Sequence, residues 1–451
     1  MRIDISNSTD ISNVISELYG VQIKNAIGGI TTDSRNLING DIYIAIDGEN
    51  NDGHHYLNQV DALNASAVIV DKNKEYKNLN AQIISVDDTI KAIGNIAKSY
   101  RQKFTIPIIG ITGSNGKTST KELLRHVLSS KFDIHATEGN YNTSIGLPLT
   151  LLQLNAFHGA SIIEMGANQK GDIDVLAKIA KPNYGLITNI APAHLEGFGS
   201  IEEVARTKSA LFKNLDDGIA FINLTDHRVA NIEIKGKSIT FGLNPECDYP
   251  ADLHYEKDGT ITLTINAEEI PTYSSNLSFA KNIIACSAIS RELGVEWEAI
   301  KDRVSTFSPP KGRCEVKKVN SNIIIDDTYN ANLDSTLAAI DYLTAFSGHG
   351  KRIFVFGDML ELGDLSKEQH HKVGKKCFEA GLDAVLCFGK ESMTTSNAIN
   401  DLEINEHFNT KEELLKFLKD IVSPKDKILF KGSRGMRMET IIEGLVSDNA
   451  L

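Results

Sequence analysis

Short apolar runs alternate with amphipathic segments along most of the chain. Runs typical of buried strands lie at residues 41–46, 67–70, 82–86, 106–111, 160–165, 184–190, 322–326, 352–356, 384–388 and 427–430. Apolar residues at helical spacing mark residues 88–105, 117–128, 172–180, 201–212, 278–293, 296–306, 334–346, 366–380, 411–422 and 436–446. Strands that alternate with helices are typical of a mostly parallel, doubly wound sheet. We therefore predict the α/β fold class.

The chain is too long for one typical core, and we predict three domains. A length of 451 residues corresponds to about three domains of ordinary size. A small N-terminal α/β domain is predicted over residues 1–87, and a central domain with a mostly parallel sheet over residues 88–311. Alternating residues at 238–275 predict an antiparallel appendage of the central sheet. After a hinge at Pro309-Pro-Lys-Gly312, a Rossmann-like open sheet is predicted over residues 312–451.

The most informative stretch joins the apolar run at 106–111 to the helix predicted at 117–128. Its sequence at residues 112–119 is T-G-S-N-G-K-T-S. A strand, a glycine-rich turn, a Lys-Thr pair and a helix form the context of a phosphate-binding loop. Gly113 and Gly116 allow the backbone N–H groups to face one anion, and the helix N-terminus adds partial positive charge. Lys117 would reach the β- and γ-phosphates of ATP, and the Thr118 hydroxyl would bind Mg²⁺.

The loop departs at one position from the general pattern G-x-x-x-x-G-K-[ST]. That pattern places a glycine where this chain has Ile111, and Gly113 supplies the glycine instead. We predict a P-loop ATPase-like central domain that binds a nucleoside triphosphate; an ordinary strand-to-helix turn is the alternative. The predicted ATP contacts of the loop are Thr112, Gly113, Ser114, Asn115, Gly116, Lys117, Thr118 and Ser119.

Two further side chains lie where ligands bind in such sheets, beyond the carboxyl ends of strands. Glu164 lies at the end of one strand, and His194 follows another. With Thr118 they would supply oxygen and imidazole ligands to Mg²⁺ ions that bridge the phosphates. A structural role is the alternative for a lone glutamate or histidine. Lys208 lies on the helix at 201–212, and periodicity alone leaves open that it is a surface lysine.

Polar turns elsewhere are candidates for substrate contacts. The turn at residues 140–148 would hydrogen-bond a substrate or only change the chain direction. At the hinge, the Arg313 guanidinium would move onto a γ-phosphate when the domains close. Tyr329 would stack on a base, but a capped turn with Asp334 as N-cap is an equally good interpretation of residues 326–332. Near the N-terminus, Arg35 would form a fork for a phosphate, although turn chemistry explains that cluster as well.

Composition excludes several classes of protein. A net charge of −12 argues against nonspecific nucleic-acid binding, because no basic field would attract phosphates. Five scattered cysteines without a C-x-x-C pair indicate reduced thiols in the cytoplasm. We see no signal peptide and no apolar run near the ~20 residues of a membrane span, so we expect no membrane insertion. A nucleotide-controlled binding protein is the alternative to an enzyme, although the N-K-x-D guanine motif is absent.

Taken together, these stretches resemble the Mur ligase family of ATP-dependent, amide-bond-forming enzymes of peptidoglycan synthesis. The resemblance covers nearly the whole chain, and the family's own phosphate loop shares the unusual placement of Gly113. The other motifs that carry it lie at residues 164–167, 188–196, 326–332, 357–363 and 431–434. The D-N-P-R signature of one family member is absent. Another ligase of this family, or a folylpolyglutamate synthetase-like ligase, stays open as an alternative.

The resemblance implies an ADP-forming ligase whose substrates are UDP-N-acetylmuramoyl-tripeptide and D-alanyl-D-alanine, acting as a cytoplasmic monomer. It implies two Mg²⁺ ions, with a carbamylated Lys208 as a ligand beside Thr118, Glu164 and His194. The implied catalytic residues are Lys117, His194 and Lys208. Further implied ATP contacts are Asn282, Arg313, Asp327, Tyr329 and Asn332. The predicted substrate contacts are Thr32, Ser34, Arg35, Asp52, Gly53, His54, Asn140, Asn142, Thr143 and Lys431.

Overall fold

The computed structural model of the protein describes residues 1–447. In that part of the chain, three separate α/β sheets follow one another along the sequence. Each of the three predicted segments contains one of them, so the prediction of a three-domain α/β fold is confirmed. The boundaries at 87/88 and 311/312 stay predictions.

The N-terminal sheet is small and mostly parallel. Its strands, in spatial order, are β1 (Arg2–Asp4), β2 (Gly29–Thr31), β3 (Ile42–Ile44), β4 (Ala67–Asp71) and β5 (Gln82–Val86). Its helices are α1 (Ser8–Tyr19) and α2 (Leu57–Ala62), with 3-10 turns at Ser34–Asn36 and Gly53–Tyr56. Strand β1 runs antiparallel to β2, and the other pairs are parallel. The sequence predicted β3, β4 and β5, but β1 and β2 were missed because each contains a single large apolar residue, Ile3 or Ile30, and so shows no recognisable apolar run.

The helix α3 (Thr89–Arg101) joins the first two domains. It begins where Asp88 accepts the N–H groups of Ile90 and Lys91, each at 2.9 Å. Its buried face belongs to one hydrophobic core that contains Ile69 of β4 and, from the central sheet, Ile163. The two domains are therefore joined by shared buried apolar surface and not only by the connecting chain.

The central sheet combines a parallel part with an antiparallel edge. Its strands are β6 (Ile108–Thr112), β7 (Ile134–Ala136), β8 (Ala160–Glu164), β9 (Tyr184–Ile187), β10 (Ile219–Asn223), β11 (Lys237–Gly242), β12 (Tyr249–Tyr255), β13 (Ile261–Ile265) and β14 (Glu268–Pro271). The strand order is β14-β13-β12-β11-β10-β9-β6-β8-β7. Its helices are α4 (Lys117–Leu128), α5 (Gly146–Leu152), α6 (Asp172–Ala180), α7 (Leu195–Phe198), α8 (Ile201–Lys213), α9 (His227–Ala230), α10 (Leu277–Glu292) and α11 (Trp297–Thr306).

The antiparallel appendage is smaller than predicted. Strand β11 pairs in parallel with β10, because the short helix α9 provides a crossover, and β12 continues in parallel for two residue pairs. Within the central sheet, only β12, β13 and β14 pair antiparallel among the described residues. The prediction for residues 238–275 was therefore wrong in its first part. The parallel part places the carboxyl ends of β6, β8 and β9 at one edge.

The C-terminal sheet is open, with helices on both faces. Its strands are β15 (Glu315–Val319), β16 (Asn322–Asp327), β17 (Arg352–Gly357), β18 (Ala384–Phe388), β19 (Ile404–Phe408) and β20 (Lys427–Lys431), in the order β15-β16-β20-β17-β18-β19. Its helices are α12 (Leu333–Thr344), α13 (Ser366–Glu379), α14 (Met393–Asn397), α15 (Lys411–Ile421) and α16 (Glu439–Ser447), with 3-10 turns at Gly363–Leu365 and Arg434–Met436. Strands β15 and β19 were not predicted. Within residues 1–447, no helix combines the length and apolarity that crossing a membrane requires.

Candidate active site

A cleft of about 1170 Å³ lies between the central and the C-terminal domains. The carboxyl ends of β6, β8 and β9 form one wall, and the ends of β16 and β20 form the other. This cleft brings together the predicted residues Ser114, Asn115, Gly116, Lys117, Thr118, Ser119, Asn142, Thr143, Glu164, His194, Asn282, Arg313, Asp327, Tyr329, Asn332 and Lys431. Residues that are far apart in the sequence thus face one space.

The glycines of the loop after β6 adopt backbone angles that favour glycine. Gly113 has φ +149° and Gly116 has φ +80°. A Cβ at Gly113 would lie 1.9 Å from Oγ1 of Thr188, so the backbone can approach β9 only without a side chain. Asn189 supports the loop from that side: its backbone oxygen accepts the Ser114 N–H, and its Oδ1 accepts the Asn115 N–H, both at 3.0 Å. Sequence reasoning missed Asn189, although it belongs to the motif at 188–196.

The start of α4 leaves its backbone donors free. The N–H groups of Gly116, Lys117, Thr118 and Ser119 form no hydrogen bond with a described residue, and no side chain caps the helix. An uncapped helix start presents unpaired donors and partial positive charge. Such a helix start is suited to an anion such as phosphate.

Lys117 lies folded over this loop. Its Nζ donates to the backbone oxygen of Gly113 at 2.8 Å and approaches that of Ser114 at 3.5 Å. Burial lowers the pKa of Lys117, and the charge of Glu164 opposes that shift. A phosphate bound here would favour the charged form of the lysine.

Glu164 is the buried acid at the end of β8, with 2 % of its surface exposed. Its Oε2 accepts the Thr118 hydroxyl at 2.9 Å, and its Oε1 accepts the Asn142 side-chain amide at 2.8 Å. Lys121, which sequence reasoning missed, is fully buried with Nζ 4.0 Å from Oε2.

The side-chain oxygens of Thr118 and Glu164 fit Mg²⁺. The described residues contain no group of three or more His, Cys, Asp or Glu side chains that could hold a metal. Mg²⁺ is usually bound by one or two carboxylates together with substrate phosphates and water, so Thr118 and Glu164 beside a phosphate loop provide a suitable oxygen set.

Lys208 is buried and does not line the cleft. It is 3 % exposed, and the alternative of a surface lysine is wrong. Its Nζ lies 6.0 Å from the ring centroid of Phe198 and forms no hydrogen bond with a described residue. Burial lowers the pKa of Lys208 well below its usual value, and the nearby charge of Lys117 adds to the effect. The amine is therefore disposed to be neutral and nucleophilic.

Two guanidinium groups lie near the ring of Tyr329 on the C-terminal wall. Arg313 lies 3.9 Å from the ring centroid and Arg434 lies 5.9 Å from it. Lys431 is almost fully buried, donates to the Asp327 carboxylate and reaches the backbone oxygen of Asn330 at 3.1 Å. In this arrangement the Arg313 side chain lies on the tyrosine, not on the phosphate loop.

Side-chain hydrogen bonds join the walls of the cleft. The side-chain amide of Asn332 donates to Oδ1 of Asn115 at 2.6 Å. His194 Nδ1 is hydrogen-bonded to the carboxylate of Glu361. Burial lowers the pKa of His194, while the bond to Glu361 opposes that shift. Sequence reasoning assigned no role to Glu361, although the motif at 357–363 contains it.

The other predicted site residues do not line the cleft; they are Thr32, Ser34, Arg35, Asp52, Gly53, His54, Thr112, Gly113, Asn140 and Lys208. In the N-terminal domain, the exposed Arg35 pairs with Asp33 at 2.8 Å. Asp52 accepts the backbone N–H of His54 at 2.9 Å and its Nδ1 at 2.6 Å. Burial alone would raise the pKa of Asp52, but Lys74 and His54 hold it well below its usual range. These groups bond one another, as turn chemistry predicts.

Comparison with known proteins gives a consistent result over the whole chain. The "Mur ligase family, catalytic domain" model matches residues 26–101, the "Mur ligase middle domain" model residues 111–289, and the "Mur ligase, glutamate ligase domain" model residues 312–434. A UDP-N-acetylmuramoyl-tripeptide--D-alanyl-D-alanine ligase of Synechocystis sp. is 36% identical over 430 residues, which cover 94% of this chain and 93% of the relative.

Solved structures agree with the sequence comparison. MurF from Acinetobacter baumannii superimposes with a TM-score of 0.89 at 28% identity, covering 97% of this chain and 98% of its own. MurF ligase from Thermotoga maritima, in complex with ADP, gives a TM-score of 0.83 at 29% identity, covering 93% and 97%. On the strength of the three matched domains and the full-length relative, the chain belongs to the Mur ligase family.

Proposed function

We propose that this protein is an ATP-dependent ligase that joins D-alanyl-D-alanine to UDP-N-acetylmuramoyl-tripeptide, forming ADP and phosphate in peptidoglycan synthesis. One observation carries the proposal: a single cleft holds free N–H donors of a helix start, Lys117, Glu164 and the C-terminal Lys431. A ligase needs such a cleft, because the phosphates, the acyl group and the amine must meet with water excluded. The full-length ligase relative supplies the substrate pair.

The reaction follows from the chemistry of a carboxylate. A carboxylate is a poor acyl donor, so the terminal carboxylate oxygen of the tripeptide first attacks the γ-phosphorus of ATP, and ADP leaves. The amine of D-alanyl-D-alanine then attacks the acyl carbon, a proton is lost, and phosphate leaves from the tetrahedral intermediate. Lys117 and the N–H groups of residues 116–119 would stabilise the charge on the transferred phosphoryl group.

Thr118 and Glu164 would hold one Mg²⁺ ion, which supplies charge neutralisation at the phosphates. We propose His194 and a carbamylated Lys208 for a second ion. Carbamylation joins the amine nitrogen to the carbon of CO₂ with loss of a proton, and it requires a neutral amine. The buried Lys208 amine, without a hydrogen-bond partner among the described residues, supports that modification.

On the C-terminal side, we propose Asn282, Asp327, Tyr329 and Asn332 as contacts of the nucleoside. An adenine ring that stacks on Tyr329 would compete with Arg313, whose guanidinium now lies 3.9 Å from the ring centroid. The displaced guanidinium would then be available for the γ-phosphate. This exchange would couple binding of the base to placement of a positive charge on the reacting group.

The proposed substrate contacts divide between two places. Asn142, Thr143 and Lys431 line the cleft and would contact the tripeptide or the dipeptide, with Asn140 close by in sequence. Residues 32–35 and 52–54 lie in the N-terminal domain and would hold the UDP-sugar. The peptide would then extend from that domain into the cleft. Residues 1–87, 88–311 and 312–451 are proposed as the three domains, in a cytoplasmic monomer whose mass can be measured by light scattering.

Phosphate release from ATP tests the function directly. The purified protein is assayed with UDP-N-acetylmuramoyl-tripeptide, with and without D-alanyl-D-alanine, and the product is weighed by mass spectrometry. We expect release only with both substrates and a product heavier by the dipeptide. Release driven by a single amino acid in place of the dipeptide would indicate another ligase of the family. If that amino acid is glutamate, a folylpolyglutamate synthetase-like activity is indicated as well. Hydrolysis independent of any acceptor would favour a nucleotide-controlled binding protein.

A further inference from the structure

Two loops from different domains meet in the lining of the cleft. His194 follows β9, and Glu361 follows β17. Their side chains are joined through Nδ1 of the histidine, and the backbone oxygen of Glu361 accepts the Glu196 N–H at 3.4 Å. His194 has φ +51° and Glu361 has φ +62°, in the left-handed region that costs a non-glycine residue roughly 1–2 kcal/mol. Such conformations persist where surrounding contacts hold them.

The chemistry of the contact determines which nitrogen of His194 carries the proton. An ionised carboxylate accepts hydrogen bonds and cannot donate them, so Nδ1 must be the donor. In the neutral ring Nε2 then carries a lone pair. That nitrogen forms no hydrogen bond with a described residue, and the ring lines the cleft. A histidine prepared in this way can bind a metal ion or accept a proton.

We infer that Glu361 is a positioning residue that acts through His194: it holds the Nδ1–H tautomer and directs Nε2 into the cleft. The inference rests on the proposed function. The contact joins two domains, because Glu361 belongs to the C-terminal domain and His194 to the central domain. His194 is therefore prepared for the reaction only while the two domains are docked, which couples their closure to completion of the site.

The contribution of this pair to stability is small. The Glu361 side chain is 59% exposed and that of His194 is 30% exposed. Exposed ion pairs contribute about 0–1 kcal/mol, so removal of the carboxylate should hardly change thermal unfolding. By contrast, removal of a carboxylate that orients a ligating histidine typically costs about 10- to 100-fold in metal affinity or activity. The difference between these two effects separates positioning from simple structural support.

The test uses the full-length protein with Glu361→Ala and Glu361→Gln. The glutamine keeps a hydrogen-bond acceptor for Nδ1–H, whereas the alanine does not. We expect Glu361→Ala to lower kcat about 10- to 100-fold with a nearly unchanged KM for ATP, and Glu361→Gln to restore much of the loss. Asp364→Asn is the matched control, because Asp364 is an exposed acid in the adjacent 3-10 turn whose side chain forms no hydrogen bond or ion pair with a described residue. It should behave as the wild type.

A second readout needs no substrate. In protein labelled with ¹⁵N-histidine, the His194 signals, identified with His194→Gln, report which ring nitrogen is protonated. We expect Nδ1–H in the wild type and a shift toward Nε2–H in Glu361→Ala. An unchanged tautomer, or a shifted tautomer with kcat equal to that of Asp364→Asn, would overturn the inference. A wild-type protein without ligase activity would refute the proposed function instead, while the tautomer would still report whether Glu361 orients the ring.

Discussion

Two strand-to-helix turns face each other across the cleft. The helix after the first turn has no side-chain cap, whereas the helix after the second turn is capped. In the turn from β6 to α4, Gly116 is the N-cap and no side chain meets the free N–H groups. In the turn from β16 to α12, Asn332 is the N-cap: its side chain accepts the Ser335 N–H at 3.0 Å, and the Ser335 hydroxyl accepts the Asn332 N–H at 3.1 Å. The expectation that Asp334 caps this helix was wrong.

The difference explains why only one of the turns is suited to phosphate. A capping box satisfies two of the donors that an anion would otherwise bind, here the N–H groups of Asn332 and Ser335. The charges reinforce the difference, because Asp326 and Asp327 end β16, whereas Lys117 is the first residue of α4. Lys431, the lysine nearest the second turn, is already bonded to Asp327. Similar local topology thus gives an uncapped helix start in one turn and a capped helix start beside two aspartates in the other.

The largest effect should come from Lys208, a buried lysine of α8 on which the charge of Lys117 in the first turn acts. We expect Lys208→Ala to lose turnover, because the proposed carbamate is removed, and short added carboxylates to restore part of it. Phosphate release measured with and without added acetate or formate checks this. Full activity of the unsupplemented variant would contradict the proposed carbamylation.

Removal of the loop lysine should be nearly as severe. We expect Lys117→Ala to lower kcat about a hundred- to thousandfold, or 3–4 kcal/mol of barrier, because a preorganised charge at the phosphoryl group is lost. Steady-state kinetics with both substrates measure the effect. Lys178→Ala, on an exposed helix face where the lysine pairs with Asp174, is the control and should behave as the wild type. Equal kinetics of the two variants would show that the loop lysine has no catalytic role.

A side chain in the loop should disturb the first turn itself. At Gly113 an added Cβ meets Thr188 at 1.9 Å and the backbone has φ +149°. We expect Gly113→Ala to lower the free energy of unfolding by about 1–3 kcal/mol and to weaken ATP binding. Urea unfolding and calorimetric titration with ATP measure both. Gly171→Ala also has positive φ but meets no atom within 4 Å, so ATP affinity should be retained.

The smallest effect should come from opening the cap of the second turn. Asn332→Ala should cost about 1 kcal/mol of stability, as should Thr410→Ala, which removes the cap of α15 in the same domain. Only Asn332→Ala should also weaken ATP binding, because Asn332 bonds to Asn115 across the cleft. Neither variant should gain a phosphate site at α12, since the aspartates remain. Tight phosphate binding by Asn332→Ala would contradict the difference drawn between the helix starts of α4 and α12.

Local patterns were sufficient for the parts of this protein that obey local rules. The glycine positions, Lys117 and the strand–turn–helix order predicted a phosphate loop, and the structure has the strand, the glycine turn and the helix there, because backbone freedom and hydrogen-bond donors are properties of adjacent residues. The longer helices and most of the buried strands followed from periodicity, although the buried strand β10 was missed. Strand β15, strand β19 and helix α5 were missed, since short or half-polar segments have weak periodicity and take their conformation from their neighbours.

Tertiary structure decided what the local rules leave open. Sequence alone determined an α/β chain and predicted a phosphate loop and a set of candidate side chains. Only the fold placed Asn189 under that loop, Lys208 in a buried position and Glu361 against His194. It also left the residues at 32–35 and 52–54 outside the cleft. Contacts between residues far apart in the chain depend on how whole sheets and domains dock, and burial and pKa shifts arise only when those surfaces meet.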